Sequence, residues 1–142
     1  MADPFVVDNS VVMTWCFEDE TTAYGDSVLD RLSKTTAVVP AIWPLEVTNV
    51  LLVAERRGRL AAADSARFVS LLLRLPIAVE HWHPERIMKE VLDLGREKKL
   101  SSYDASYLSL AMTKGYPIAT IDTNMLKAAR ELGVEVLSTH NT

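Results

Sequence analysis

Apolar residues along the chain follow two rhythms. Short runs at residues 5–7, 38–39, 77–79, 118–121 and 134–137 are rich in β-branched or aromatic side chains and read as five short buried strands. Between them lie longer segments whose apolar residues recur at helical spacing. Residues 26–32 belong to a first long helix, and Pro44 suits the first turn of the next, whose stripe Leu45, Val50 and Val53 runs to Gly58. Residues 61–75 and 84–98 make two more. Ser101 or Ser102 can cap a helix reaching Lys114, where Gly115 and Pro117 stop it, and residues 123–132 end at Gly133. Strands alternating with helices predict a parallel sheet of about five strands covered on both faces, an α/β fold.

A length of 142 residues suits one domain, 1–142, with no internal repeat or linker. Hydrophobic residues at 49% and charged residues at 24% are ordinary globular values, far from the composition of a disordered chain. The single Cys16 has no internal disulfide partner, and the opening Met-Ala-Asp-Pro lacks the basic and apolar regions of a secretory signal. The longest apolar stretch, Val50 to Ala54, is far short of the roughly 20 residues that span a bilayer. A cytoplasmic protein with no membrane partner is the expectation. Fifteen Lys and Arg against nineteen Asp and Glu leave a net charge of −4, so any polyanionic partner has to be attracted locally.

Four carboxylates change the picture. Asp8 follows the strand Phe5-Val6-Val7, and Asp122 follows Ile118-Ala119-Thr120-Ile121. Each therefore stands where a buried strand emerges, at the edge where open parallel sheets hold their ligands. Either Asp is also a good helix N-cap. Glu46 falls beside Val50 and Val53 on a helical wheel, where a carboxylate is costly unless it is paired, hydrogen-bonded or metal-bound; an early-turn Glu favoured by the helix dipole is the plainer alternative. Asp104 lies three residues after Ser101 and can close a capping box. The same turn points it toward the sheet edge if Tyr107, Leu108 and Ala111 form the buried face.

The pieces Val7-Asp8-Asn9-Ser10, Pro44-Leu45-Glu46-Val47, Tyr103-Asp104-Ala105-Ser106-Tyr107-Leu108 and Ala119-Thr120-Ile121-Asp122 resemble, in order and spacing, the signature of the PIN-domain ribonucleases. The resemblance covers the whole chain and is strongest to VapC-type toxins of toxin-antitoxin pairs. It implies that Asp8, Glu46, Asp104 and Asp122 form an acidic metal site supported by the hydroxyls of Ser10 and Thr120. Some family members carry a further acid where this chain has Asn124, an amide that ligates through oxygen without adding charge. Four converging carboxylates repel one another and call for a cation, and an all-oxygen set suits Mg²⁺ or Mn²⁺. The implied activity is metal-assisted hydrolysis of RNA, leaving 5′-phosphate and 3′-hydroxyl ends. Asp8, Asp104 and Asp122 would be ligands, and Glu46 a ligand or the group that positions the water. A small cognate antitoxin and a homodimer are implied partners.

Other features carry less. Arg56-Arg57-Gly58-Arg59 and Arg96-Glu97-Lys98-Lys99 can guide a phosphate backbone or simply be solvated helix ends. His81 and His83 read as surface histidines, Cys16 as a small core residue, and Trp15, Trp43 and Trp82 as core or interface anchors. Two rival functions remain, a catalytically idle PIN-like module that binds protein and a phosphoacceptor receiver domain. The receiver reading lacks the paired acids after the first strand and the strand-end Lys that it requires.

Overall fold

The structure is a computed structural model that describes residues 3–138. The elements follow in the order β1 (Phe5–Val7), α1 (Asn9–Thr14), a 3-10 turn (Glu18–Glu20), α2 (Ala23–Arg31), β2 (Ala37–Pro40), α3 (Trp43–Arg56), α4 (Ala62–Arg74) and β3 (Ile77–Glu80). After β3 come α5 (Pro84–Arg86), a π-helical segment (Ile87–Val91), α6 (Leu92–Lys98), α7 (Ser102–Lys114), β4 (Ile118–Ala119) and α8 (Thr123–Glu131). The expected α/β architecture is present: four parallel strands lie in the order β3-β2-β1-β4. The run at 134–137 adds only a parallel bridge from Val136 to Ile118, which places it outside β4. Ile118 N–H donates to Glu135 O at 2.9 Å there, and Leu137 N–H donates to Ile118 O at 2.8 Å.

Strand order decides where a ligand can sit. From β1 the chain moves outward through β2 to β3, then returns past β1 to lay β4 on its other side. Connections therefore leave β1 and β4 in opposite directions, and the carboxyl ends of these two strands are where open parallel sheets form their ligand crevice. Both strands are fully buried, as is β2, so polar residues immediately after them emerge from an apolar floor. α7 packs across β1 and β2 and contributes the buried Tyr107, Leu108, Leu110 and Ala111 to the core.

Three local features depart from the sequence expectation. The buried face of α3 is Trp43, Val47, Leu51 and Ala54, whereas Leu45 is well exposed and Val50 and Val53 are half-buried. Glu46 shares that half-buried border row, so it flanks the core instead of facing it. Residues 84–98 are helical throughout but loosen into a π segment before Lys99 closes the run in the left-handed conformation at φ 56°. The third departure is α1, six residues too short to show a helical period, held by the buried Val11, Val12 and Met13.

α1 carries a residue of the crevice, Ser10, and its placement rests on close packing against α2. A Cβ on Gly25 would stand 2.2 Å from Thr14 Oγ1, a hydroxyl that itself donates to Val11 O at 2.7 Å. Trp15 Nε1 donates to Gly25 O at 2.8 Å and fixes the same approach from the other side. Gly25→Ala is expected to destabilise the protein by about 1–3 kcal/mol through overpacking. Urea denaturation should show that loss, and it should be smaller when the change is made in a Thr14→Ala background, where the obstructing hydroxyl is gone.

Candidate active site

Asp8 stands one residue beyond β1 and is 4% exposed. It occupies the N-cap position of α1 but makes no capping bond with its side chain. Its Oδ2 instead accepts two hydroxyls, from Ser10 at 2.6 Å and from Thr120 at 2.9 Å. These hydroxyls also accept backbone donors from the loop after β4: Ile121 N–H reaches Ser10 Oγ at 3.3 Å, and Asp122 N–H reaches Thr120 Oγ1 at 3.1 Å. Exits from the two strands are thus stitched together around one carboxylate. Asp122 does cap its helix, its Oδ1 accepting Met125 N–H at 3.0 Å at the start of α8.

The other two acids arrive from helices. Asp104 lies in the first turn of α7, where its backbone N–H donates to Ser101 Oγ at 3.1 Å, which is the Ser101 half of the capping box read from the sequence. Glu46 lies in the first turn of α3, and its Oε1 accepts the Tyr107 hydroxyl at 2.6 Å. Tyr107 is 0% exposed, and a phenol buried to that extent needs a partner. Sequence reasoning assigned Tyr107 to the core and overlooked this bond. The available signal was a phenol three residues after Asp104 on the buried face of the same helix. Asn124 is exposed in the first turn of α8, outside the hydrogen-bonded centre.

Charge ties the four acids together. Burial pushes the Asp8 carboxyl above its ordinary range; Asp122 pushes the same way, while Ser10, Thr120 and the Asn9 backbone pull it down. Glu46 is raised chiefly by burial and then by Asp8 and Asp104, against the pull of the Tyr107 hydroxyl. Asp104 is raised by burial and by Asp8 and Asp122, against Ser101. Burial first, and then the Glu46 charge, keep the proton on Tyr107, which makes that residue the donor of its bond.

Among the described residues, no ion pair relieves this repulsion. The ion pairs among the described residues join Arg59 to Asp19 and Glu20, Arg86 to Glu90, Lys114 to Glu80 and others like them, and none includes Asp8, Glu46, Asp104 or Asp122. Nor do any three His, Cys, Asp or Glu among the described residues already close around a single metal position. The acids therefore act on one another through their charge and not through a closed cluster of oxygens. The donors on offer are carboxylate oxygens, with hydroxyls behind them. Such a set fits a hard divalent cation and offers nothing to a soft one.

The remaining candidates sit elsewhere. His81 and His83 are exposed, and His83 Nδ1 accepts Glu85 N–H at 3.1 Å as the cap of α5. Cys16 is half-buried with its thiol pushed up by burial, which makes it a poor nucleophile. Trp43 is buried in the core. Arg59 is taken up by Asp19 and Glu20, and Arg96 lies beside Asp93. Among the described residues, no helix is long and apolar enough to cross a membrane.

Comparison with known proteins bears on the family and the fold. The sequence profile of the PIN domain matches residues 5–131. Among solved structures, the chain is similar to PAE2754 from Pyrobaculum aerophilum at 26% identity and a TM-score of 0.67, covering 90% of this chain and 87% of that one. A toxin-antitoxin complex from Klebsiella pneumoniae contains a chain 13% identical with a TM-score of 0.61, over 97% of this chain and 99% of that one. FitAcB from Neisseria gonorrhoeae is 14% identical with a TM-score of 0.58, over 95% and 97%. The last two likenesses are of fold. No curated protein matches the sequence. The profile runs from β1 to the end of α8, taking in the whole sheet and all four acids, and the chain therefore belongs to the PIN domain family.

Proposed function

We propose that this protein is a divalent-metal-dependent endoribonuclease, the toxin of a VapBC-type pair, acting in the cytoplasm on RNA. The observation that carries the reading is the buried Asp8, held by Ser10 and Thr120 where β1 and β4 end, with Glu46, Asp104 and Asp122 supplied by the starts of α3, α7 and α8 and no ion pair to any of the four among the described residues. Family membership supports it, because PIN domains are generally nucleases. The toxin reading draws on the neighbour solved as a toxin-antitoxin complex, and with it come a small antitoxin and a homodimer as expected partners.

In this reading Asp8, Asp104 and Asp122 hold Mg²⁺ or Mn²⁺, and Glu46 either completes the set or positions the attacking water. The cation supplies positive charge and Lewis acidity to a phosphodiester placed beside it. The chain's own part is positional. Ser10 and Thr120 lock Asp8 in one orientation by holding Oδ2. Tyr107 holds Glu46 through Oε1 and leaves Oε2 to take a proton from water during in-line attack on phosphorus. Attack by water, not by the ribose 2′-hydroxyl, leaves 5′-phosphate and 3′-hydroxyl ends. Asn124 adds no charge on the far side, so a single ion is the simplest loading. An idle binding module has no need of four unpaired acids and is the weaker reading.

Two outcomes follow. Wild-type protein should cut RNA with Mn²⁺ or Mg²⁺, and Asp8→Asn should lower the rate at least ~100-fold, about 2.7 kcal/mol of barrier, with its circular dichroism unchanged. Undiminished metal-dependent cleavage by that variant would reject the assignment. Metal-free stability should also depend on pH. The carboxyls of Asp8, Glu46 and Asp104 are raised in the folded state, so the folded protein holds protons more tightly than the unfolded chain does. Stability is therefore gained as pH falls from neutrality through these raised values, and the gain is complete below the ordinary carboxylate range. Thermal melts should show this gain, together with a Mn²⁺-induced rise in Tm that shrinks as protons compete for the same oxygens. Asp8→Asn should flatten both; an equal Mn²⁺ response in wild type and variant would place the ion elsewhere.

A further inference from the structure

At the starts of α3 and α7, the helices that carry Glu46 and Asp104, lies a cavity that the proposed chemistry does not use. Its volume is about 320 Å³, at the lower end for small-molecule pockets, and its walls are almost wholly apolar. Ile42 closes it on the side of α3, Trp82 and Ile87 on the side of β3 and the π segment, and Tyr103 and Ser106 on the side of α7. Tyr103 directly precedes Asp104, and Ile42 is the N-cap residue of the helix that carries Glu46. The cavity therefore opens within a residue or one helical turn of two of the four acids.

We propose that this cavity is a nucleobase subsite, which receives one base of the RNA strand whose phosphodiester lies at the acids. The inference rests on the nuclease reading. Tyr103 is 54% exposed, an aromatic ring left uncovered at the mouth of an apolar pocket. Trp82 is held in place by Arg86, whose guanidinium lies 3.6 Å from its ring centroid and is itself fixed by Glu90 at 2.8 Å and by the Thr113 hydroxyl. Rings fixed in this way bind bases by stacking, and an adjacent hydroxyl such as that of Ser106 can meet a base edge.

Charge selects the base over the backbone. Glu80 lines the cavity and is paired with Lys114 at 2.7 Å, so the walls hold no free cation for a phosphate. The four acids alongside repel phosphate further unless metal is bound. With a net charge of −4, the molecule as a whole does not attract RNA, and stacking supplies contact energy that does not depend on that field.

The test uses uncharged probes and no metal. Indole N–H resonances of ¹⁵N-labelled protein, with that of Trp82 identified by its loss in Trp82→Phe, are followed as adenosine, guanosine, cytidine or uridine is added, and ribose serves as the base-free control. At least one nucleoside should shift the Trp82 resonance while ribose does not. Tyr103→Ala should raise the apparent Kd about tenfold, an ordinary cost for a lost base–aromatic stack, and Tyr103→Phe should restore it. A shift as large with ribose, or an unchanged Kd in Tyr103→Ala, would overturn the subsite. No shift with any nucleoside would also overturn it and leave the pocket to a side chain of a protein partner. Binding is read here without cleavage, so the two readings can fail separately. Nucleoside binding by a protein that cuts no RNA would defeat the nuclease reading and leave a base site without the substrate role given to it, whereas cleavage without nucleoside binding would defeat the subsite alone.

Discussion

A single buried carboxylate governs this molecule. Asp8 emerges from a strand with no solvent contact and remains almost fully enclosed, yet among the described residues it has no ion pair with a lysine or arginine. Burial of an uncompensated charge is among the most costly arrangements a fold can contain. Two hydroxyls offset part of that cost, and they come from opposite sides of the crevice, Ser10 after β1 and Thr120 after β4. Hydroxyls donate hydrogen bonds without supplying positive charge, so the remaining cost falls to a proton or, in the proposed function, to a bound cation.

The rest of the fold sharpens that demand. α3 and α7 begin at the same edge of the sheet and bring Glu46 and Asp104 within electrostatic reach of Asp8, while α8 begins at Asp122. Helix starts suit carboxylates because unpaired backbone N–H groups and the helix dipole lower the cost of each negative charge. Asp122 is itself the N-cap of α8, whereas Asp104 lies three residues inside α7, behind the N-cap Ser101, so helix starts place both acids in different ways. Tyr107 links two elements directly, running from the middle of α7 to the start of α3, and keeps Glu46 oriented.

Much of this was legible in the sequence because strand exits are. Phe5-Val6-Val7 before Asp8 and Ile118-Ala119 before Thr120 and Asp122 mark where buried chain meets solvent, and β–α alternation makes the sheet parallel. The resemblance named Ser10 and Thr120 only as supporting hydroxyls; that both meet one oxygen of Asp8 was not legible, since spacing does not bring residues 110 positions apart into contact. Three features were hidden for physical reasons. α1 is shorter than two helical turns and leaves no period to read. The face of α3 turned inward is chosen by the neighbours it packs against, and the exposed Leu45 misleads a wheel drawn from sequence. The Tyr107 to Glu46 bond spans 61 residues and depends on the crossing of two helices.

Convergence of negative charge around a hard dication is the central claim, and diffraction tests it most directly. Crystals grown with Mn²⁺ and measured near the manganese absorption edge should give an anomalous peak bounded by Asp8, Asp104 and Asp122, with Glu46 at its margin. Peaks confined to other surfaces, with these acids left unliganded at saturating Mn²⁺, would contradict the account.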